Sequence, residues 1–180
     1  PLVLVFGNRM QLECPEVIDA IRKEFPYEHL VFGSTAGEII GANVFDDSIV
    51  VTAIEFEKST FAIRTDNIFN HKKDANALGK SLYQQIPKEN LKHLFVLSEG
   101  SFVNGSSLIE GLENCIQNKV PISGGMCGDD AKFEKTLASY KENPKEHSDT
   151  GIDMFSTGNQ KRVQSTSEST FMYFPMYSVL

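Results

Sequence analysis

Leu2-Val3-Leu4-Val5-Phe6-Gly7, the run from Pro15 to Phe25, and His29-Leu30-Val31-Phe32-Gly33-Ser34-Thr35-Ala36-Gly37-Glu38 make up the stretch 2–38, and their order decides the fold. The first run is apolar at every position, the mark of a strand buried on both faces. In the second, Val17, Ile18, Ala20, Ile21 and Phe25 recur at helical spacing, and Pro15 suits the first turn of that helix. The third is another short apolar strand that ends in a glycine-rich turn. Strand, helix, strand and glycine turn form one β-α-β unit.

The same order returns 91 residues later, at the spacing that separates Gly33 from Gly124 and Gly37 from Gly128. Leu4, Val5 and Phe6 fall on Phe95, Val96 and Leu97. Val17, Ile18, Ile21 and Phe25 fall on Leu108, Ile109, Leu112 and Ile116, and Val31 falls on Ile122. Residue identities are few, so the repeated architecture carries the reading of an internal duplication. Between the units, Ile49–Phe56 and Thr60–Ile68 read as two β-rich runs at hairpin spacing. A helix follows over Asp74–Ile86, with Asp74 as cap and Pro87 as stop. Leu91–Leu97 is a further buried strand, Ser106 or Ser107 opens a third helix, and Lys135–Tyr140 is one more strand. The expected fold class is α/β: a mixed β-sheet with duplicated β-α-β units and flanking helices. The pattern leaves open a two-layer packing and a sheet-on-sheet packing between helices (αββα).

Composition narrows the function. The chain has 180 residues, a formal net charge of −7 and 41% apolar residues, enough for a single domain with a real core. An acidic balance gives no electrostatic footprint for nucleic acid. No apolar run is long enough to cross a bilayer, and the apolar start lacks a basic leader. Cys14, Cys115 and Cys127 form neither a disulfide framework nor a Cys-x-x-Cys metal pair. The four histidines, His29, His71, His93 and His147, have no metal spacing. These features point to a cytoplasmic, reduced protein with no cofactor, no metal, no nucleic-acid partner and no membrane insertion.

Glycine permits close approach of a ligand or another backbone, and successive amides in such turns can face an anion. In open α/β sheets ligands sit beyond the carboxyl ends of strands, where Gly7-Asn8-Arg9, Gly33–Glu38, Ser98–Gly105 and Gly124–Asp130 converge. Arg9 can clamp a carboxylate in two-pronged fashion. Ser34, Thr35 and Asn104 supply short donors and acceptors, and Glu38, Glu99, Asp129 or Asp130 can pair with an ammonium group. Those are the groups a free amino acid needs. The candidate ligand contacts are therefore Arg9, Gly33, Ser34, Thr35, Gly37, Glu38, Asn104, Gly124, Gly125, Cys127, Gly128, Asp129 and Asp130. Each acid also has a plainer role as a helix cap or turn residue.

Enzyme signatures are weak. Cys127 sits on a turn rich in backbone amides, but Asp129 and Asp130 oppose its ionisation. Phe32 stands where a Gly-x-Ser-x-Gly elbow around Ser34 needs glycine, and neither turn continues into Gly-Lys-Ser/Thr. The pairs Asp46-Asp47 and Asp129-Asp130 can meet in space, though solvated turns explain both.

Two segments carry a family likeness. Val31-Phe32-Gly33-Ser34-Thr35-Ala36-Gly37-Glu38-Ile39 resembles the GxSTAGEI signature of FIST domains. Pro121-Ile122-Ser123-Gly124-Gly125-Met126-Cys127-Gly128-Asp129-Asp130 with Phe133 resembles the family's GGxxGDD…F element, and Phe45–Val51 resembles its acidic turn and following strand. The likeness covers residues 1–140 and the N-terminal FIST region. It implies an intracellular sensory input domain of signal transduction that binds a small ligand such as an amino acid. It also implies, as partners, a signalling protein or a C-terminal FIST region. On this reading residues 1–145 form the sensory domain. Residues 146–180 hold a Ser165–Thr170 linker and an apolar segment, Phe171–Tyr177, that is either a final strand or a surface meant for a missing region. A ligand-free interaction scaffold working through that tail, and a Cys127-dependent enzyme, are the alternatives.

Overall fold

The computed structural model describes residues 1–116, 120–144, 151–158 and 177–178. Its strands are β1 (Leu2–Gly7), β2 (His29–Ser34), β3 (Glu38–Ile40), β4 (Asn43–Phe45), β5 (Ile49–Ile54), β6 (Ser59–Asp66), β7 (Leu91–Ser98), β8 (Ile122–Met126), β9 (Ala138–Tyr140), β10 (Gly151–Gly158) and β11 (Tyr177–Ser178). Its helices are α1 (Arg9–Leu12), α2 (Pro15–Glu24), α3 (Ala75–Gln85) and α4 (Gly105–Glu113).

Nine of these strands make two sheets, ordered β11-β5-β1-β2-β9 and β6-β10-β7-β8, and β3 with β4 forms a separate small ribbon. The strand sequences explain the layering. Successive side chains of a strand point to opposite faces, and here both faces are apolar. From β1 and β2, Val3, Val5, Leu30 and Phe32 pack with Leu12, Ile18, Ile21 and Phe25 of the α1–α2 layer. The intervening Leu2, Leu4, Phe6 and Val31 face Ile63, Phe61, Phe95 and Leu97 of the other sheet. On the far side of that sheet, Val96 packs under Leu78, Leu82, Leu108 and Leu112 of α3 and α4. The order is helix layer, sheet, sheet, helix layer, so the sheet-on-sheet option is the one the chain adopts.

The repeat is visible in the topology. β1 and β2 pair in parallel around α2, and β7 and β8 pair in parallel around α4. Leu4 lies beside Val31, but its counterpart Phe95 lies beside Ser123, so the second unit carries one extra residue before its second strand. The 91-residue correspondence holds for the first strand and slips by one in the second.

Four expectations need correction. First, β5 and β6 are not a hairpin: β5 pairs with β1, and β6 pairs with β10 in the other sheet. Their connection crosses between the sheets, with Phe56 and Phe61 in contact in the layer they enclose. Second, Gly33 lies within β2, and Gly124 with Gly125 lies within β8, so both turns begin later than these glycines. Third, α4 starts at Gly105, because the Asn104 side chain accepts the Ser107 amide at 3.0 Å and caps the helix before Ser106. Fourth, the strand expected over Lys135–Tyr140 is confined to Ala138–Tyr140.

The cap expected at Asp74 is present, its carboxylate accepting the Asn76 and Ala77 amides. The small ribbon β3–β4 and the turn Ile68–His71 were not expected. The sheets extend past residue 145, because β10 lies between β6 and β7. Residues 177–178 pair with β5, while Ser165–Thr170 and Phe171–Met176 lie outside the described residues.

Candidate functional site

The carboxyl ends of β1, β2, β7 and β8 meet at one end of the sandwich, and most of the buried polar residues gather there: Asn8, Arg9, Ser34, Glu38, Ser98, Glu99 and Asp129. Burying such groups is costly unless each finds partners. Ser34 ties the two glycine segments together. Its hydroxyl donates to the Gly128 carbonyl at 2.7 Å and accepts the Leu137 amide at 2.8 Å, and its carbonyl accepts the Gly128 amide at 2.8 Å. Gly128 packs closely here: a Cβ would sit 3.1 Å from the Ala36 amide nitrogen, and the neighbouring turn would have to shift to admit it.

The carboxylates act as loop anchors. Glu38 accepts hydrogen bonds from the Thr35 and Ser48 hydroxyls. Glu99 accepts the amides of Ser101, Phe102 and Val103 at 2.7, 2.7 and 2.9 Å. Asp129 accepts the amides of Glu134 and Lys135 through one oxygen and Arg9 Nε at 2.6 Å through the other. Burial alone would raise the Asp129 pKa, but the Arg9 guanidinium and the two amides outweigh it and hold it below the usual range. The remaining Arg9 nitrogens donate to Glu134 at 2.7 Å and Glu13 at 3.2 Å. The acidic pairs do approach one another: the Asn8 side-chain amide donates to Asp47 and Asp130 at 3.0 and 2.9 Å. Among the described residues no three histidine, cysteine or acidic side chains are grouped to hold a metal.

Two concavities flank β8. A cleft of about 280 Å³ opens between the sheets, with Phe6, Phe95 and Leu97 as apolar walls and Ser34, Thr35, Ser123, Gly125 and Cys127 along its rim. A groove of about 810 Å³ runs between β8 and α4 on the helix side. Alternation assigns the faces: Gly125 lies beside Leu97 and looks into the cleft, while Ile122 packs on the helix side. A Cβ on Gly125 would meet nothing within 4 Å, whereas one on Gly124, at φ +136°, would lie 1.8 Å from the Val96 carbonyl oxygen.

The sequence candidates thus separate into two groups. Ser34, Thr35, Gly124, Gly125 and Cys127 line the cleft. Arg9, Glu38, Asp129 and Asp130 have their polar atoms in bonds that hold loops, Asn104 caps α4, Gly33 packs against Phe6 and Leu97, and Gly37 supports the β3–β4 ribbon at φ +129°. The Cys127 thiol is pushed up to about 12, chiefly by burial, and is therefore protonated at neutral pH. Sequence reasoning missed the walls Phe6, Phe95 and Leu97 and the rim residue Ser123. Their only signal was period-two alternation within the strand runs 2–7, 91–98 and 122–126.

No curated protein matches the chain. No helix among the described residues is long and apolar enough to cross a membrane. The FIST N domain model matches residues 1–169, nearly the whole chain and both glycine segments that meet around Ser34. On that match the protein belongs to the FIST N domain family, a sensory domain of signal transduction.

Proposed function

We propose that the chain senses a free amino acid, or a metabolite of that size, in the cleft between the sheets, and reports to a cytoplasmic signalling partner. The observation that carries this reading is the cleft itself. Its size suits one small molecule, its walls are aliphatic and aromatic, and its rim is hydroxyl-bearing and glycine-rich, so a ligand can approach the backbone of β8. Phe6, Phe95 and Leu97 favour an apolar side chain on the ligand. Thr35 and Ser123 offer oxygen lone pairs to its polar end. Arg9 and Asp129 serve this site from behind, by fixing the loop that follows Cys127. The protonated, buried Cys127 favours binding over nucleophilic catalysis.

A thermal-shift panel of the twenty amino acids, small carboxylates and nucleotides tests the proposal. A ligand at about a hundred times its Kd adds about 2.7 kcal/mol to stability. The expected result is a rise with one amino acid or a small group of apolar ones, absent from Gly125→Val, whose side chain would fill the cleft. A shift that Gly125→Val leaves intact would move the ligand elsewhere.

A further inference from the structure

We propose that the outer edge of β8 receives an extended segment of a partner protein as a fifth, antiparallel strand, the segment being apolar with a basic residue opposite Glu113. The sheets correspond strand for strand: β1 with β7, β2 with β8, β5 with β10, and β11 with β6. The correspondence fails at one place. β2 is covered on its outer side by antiparallel β9, with Val31 beside Tyr140 and Gly33 beside Ala138. Among the described residues no strand lies outside β8. The first unit therefore shows what the second lacks.

The backbone of β8 is suited to the role. Its ladder to β7 is bounded by the Pro121 carbonyl and the Cys127 amide, which bond Leu94 and Ser98. Direction alternates along a strand, so Ile122 and Met126 turn their backbone groups away from β7. Natural edges are usually guarded by charge, proline or brevity, yet Ser123-Gly124-Gly125-Met126 is exposed and carries no charge.

Side-chain chemistry selects the occupant. An added strand would send alternate side chains over the helix-side groove, where Leu108, Ile109, Ile116 and Val120 are apolar and Glu113 is the charged lining residue among those described. The opposite side chains would lie across the mouth of the inter-sheet cleft. A second copy of this chain fits poorly, because two surfaces of net charge −7 would bring like charges together.

The test uses a blocked, fluorescein-labelled hexapeptide of valine, leucine and isoleucine between terminal lysines, read by anisotropy against the full chain. Two further peptides carry N-methyl groups on the second and fourth, or on the third and fifth, amides. Strand addition uses one edge of the peptide only. The expected result is saturable binding of the parent, a loss of about tenfold or more on methylating one edge, and little loss on the other. Glu113→Lys is expected to weaken binding, with Glu113→Gln intermediate. Absence of binding, equal binding of both methylated forms, or a stable dimer of the chain that excludes the peptide would each overturn the proposal.

Discussion

Arg9 shows how position changes the meaning of a residue. Its side chain is 6% exposed and forms ion pairs with Asp129, Glu134 and Glu13, so it is the hub of a loop network and already holds three carboxylates. Removing it strands Asp129 in a buried site. Arg9→Ala is expected to cost about 3 kcal/mol in urea unfolding, at the low end for a broken buried pair because Glu134 is well solvated. Arg9→Lys should recover only part, since an ammonium cannot reach three acids in one plane. A stable Arg9→Ala that has lost only ligand response would restore the clamp role. The pH dependence follows from Asp129. Its folded pKa is lowered, so its contribution is complete at neutral pH and is lost as pH falls through that folded value. Urea midpoints should fall towards about pH 3 more steeply in wild type than in Asp129→Asn. None of this was legible locally: Arg9 and Asp129 lie far apart in sequence, and an arginine in a polar loop reads equally well as a ligand clamp.

At the scale of elements, glycine is decided by its neighbours. α3 and α4 cross at Gly79 and Gly111, where a Cβ would lie 2.3 Å from the Leu108 oxygen and 2.2 Å from the Asn76 oxygen respectively. Glycine-to-alanine changes within helices usually stabilise by about 1 kcal/mol. Here both Gly79→Ala and Gly111→Ala should destabilise, by about 2 kcal/mol each, through forced separation of the helices. Within β8 the two adjacent glycines should differ: Gly124→Ala is expected to cost about 3 kcal/mol, and Gly125→Val to change stability by less than about 1. Thermal unfolding of the four variants checks both statements. The sequence marked Gly124 and Gly125 but could not say which met a backbone, and it gave no sign of the helix contacts at Gly79 and Gly111. It also placed β1, α2, α3 and β7 well, because β1 and β7 are strongly apolar runs and α2 and α3 each carry one clear helical period. It failed at β5 and β6, where the short Glu55–Lys58 connection fits a hairpin as readily as a crossing. The informative sign was that Val50 and Val51 are both buried, one on each face, which needs a layer on either side.

At the scale of the molecule, the duplicated units are joined by strands that arrive late in the chain. β9 closes the edge of the first sheet, and β10 lies between β6 and β7 in the second. A chain ending after Pro144 is expected to lose cooperative unfolding, since β6 would lack its ladder and β7 one of its two, an outcome checked by urea titration with circular dichroism. Neither sheet can be completed by the residues of its own unit. On the ribosome, therefore, the first β-α-β unit emerges long before the segments that finish either sheet, and its apolar inner face must wait. Folding dominated by such distant pairings is slow, and a waiting face of this kind is what chaperones hold. The interleaving that makes the sandwich one body in the finished protein thus makes its synthesis the period of greatest exposure to misassociation.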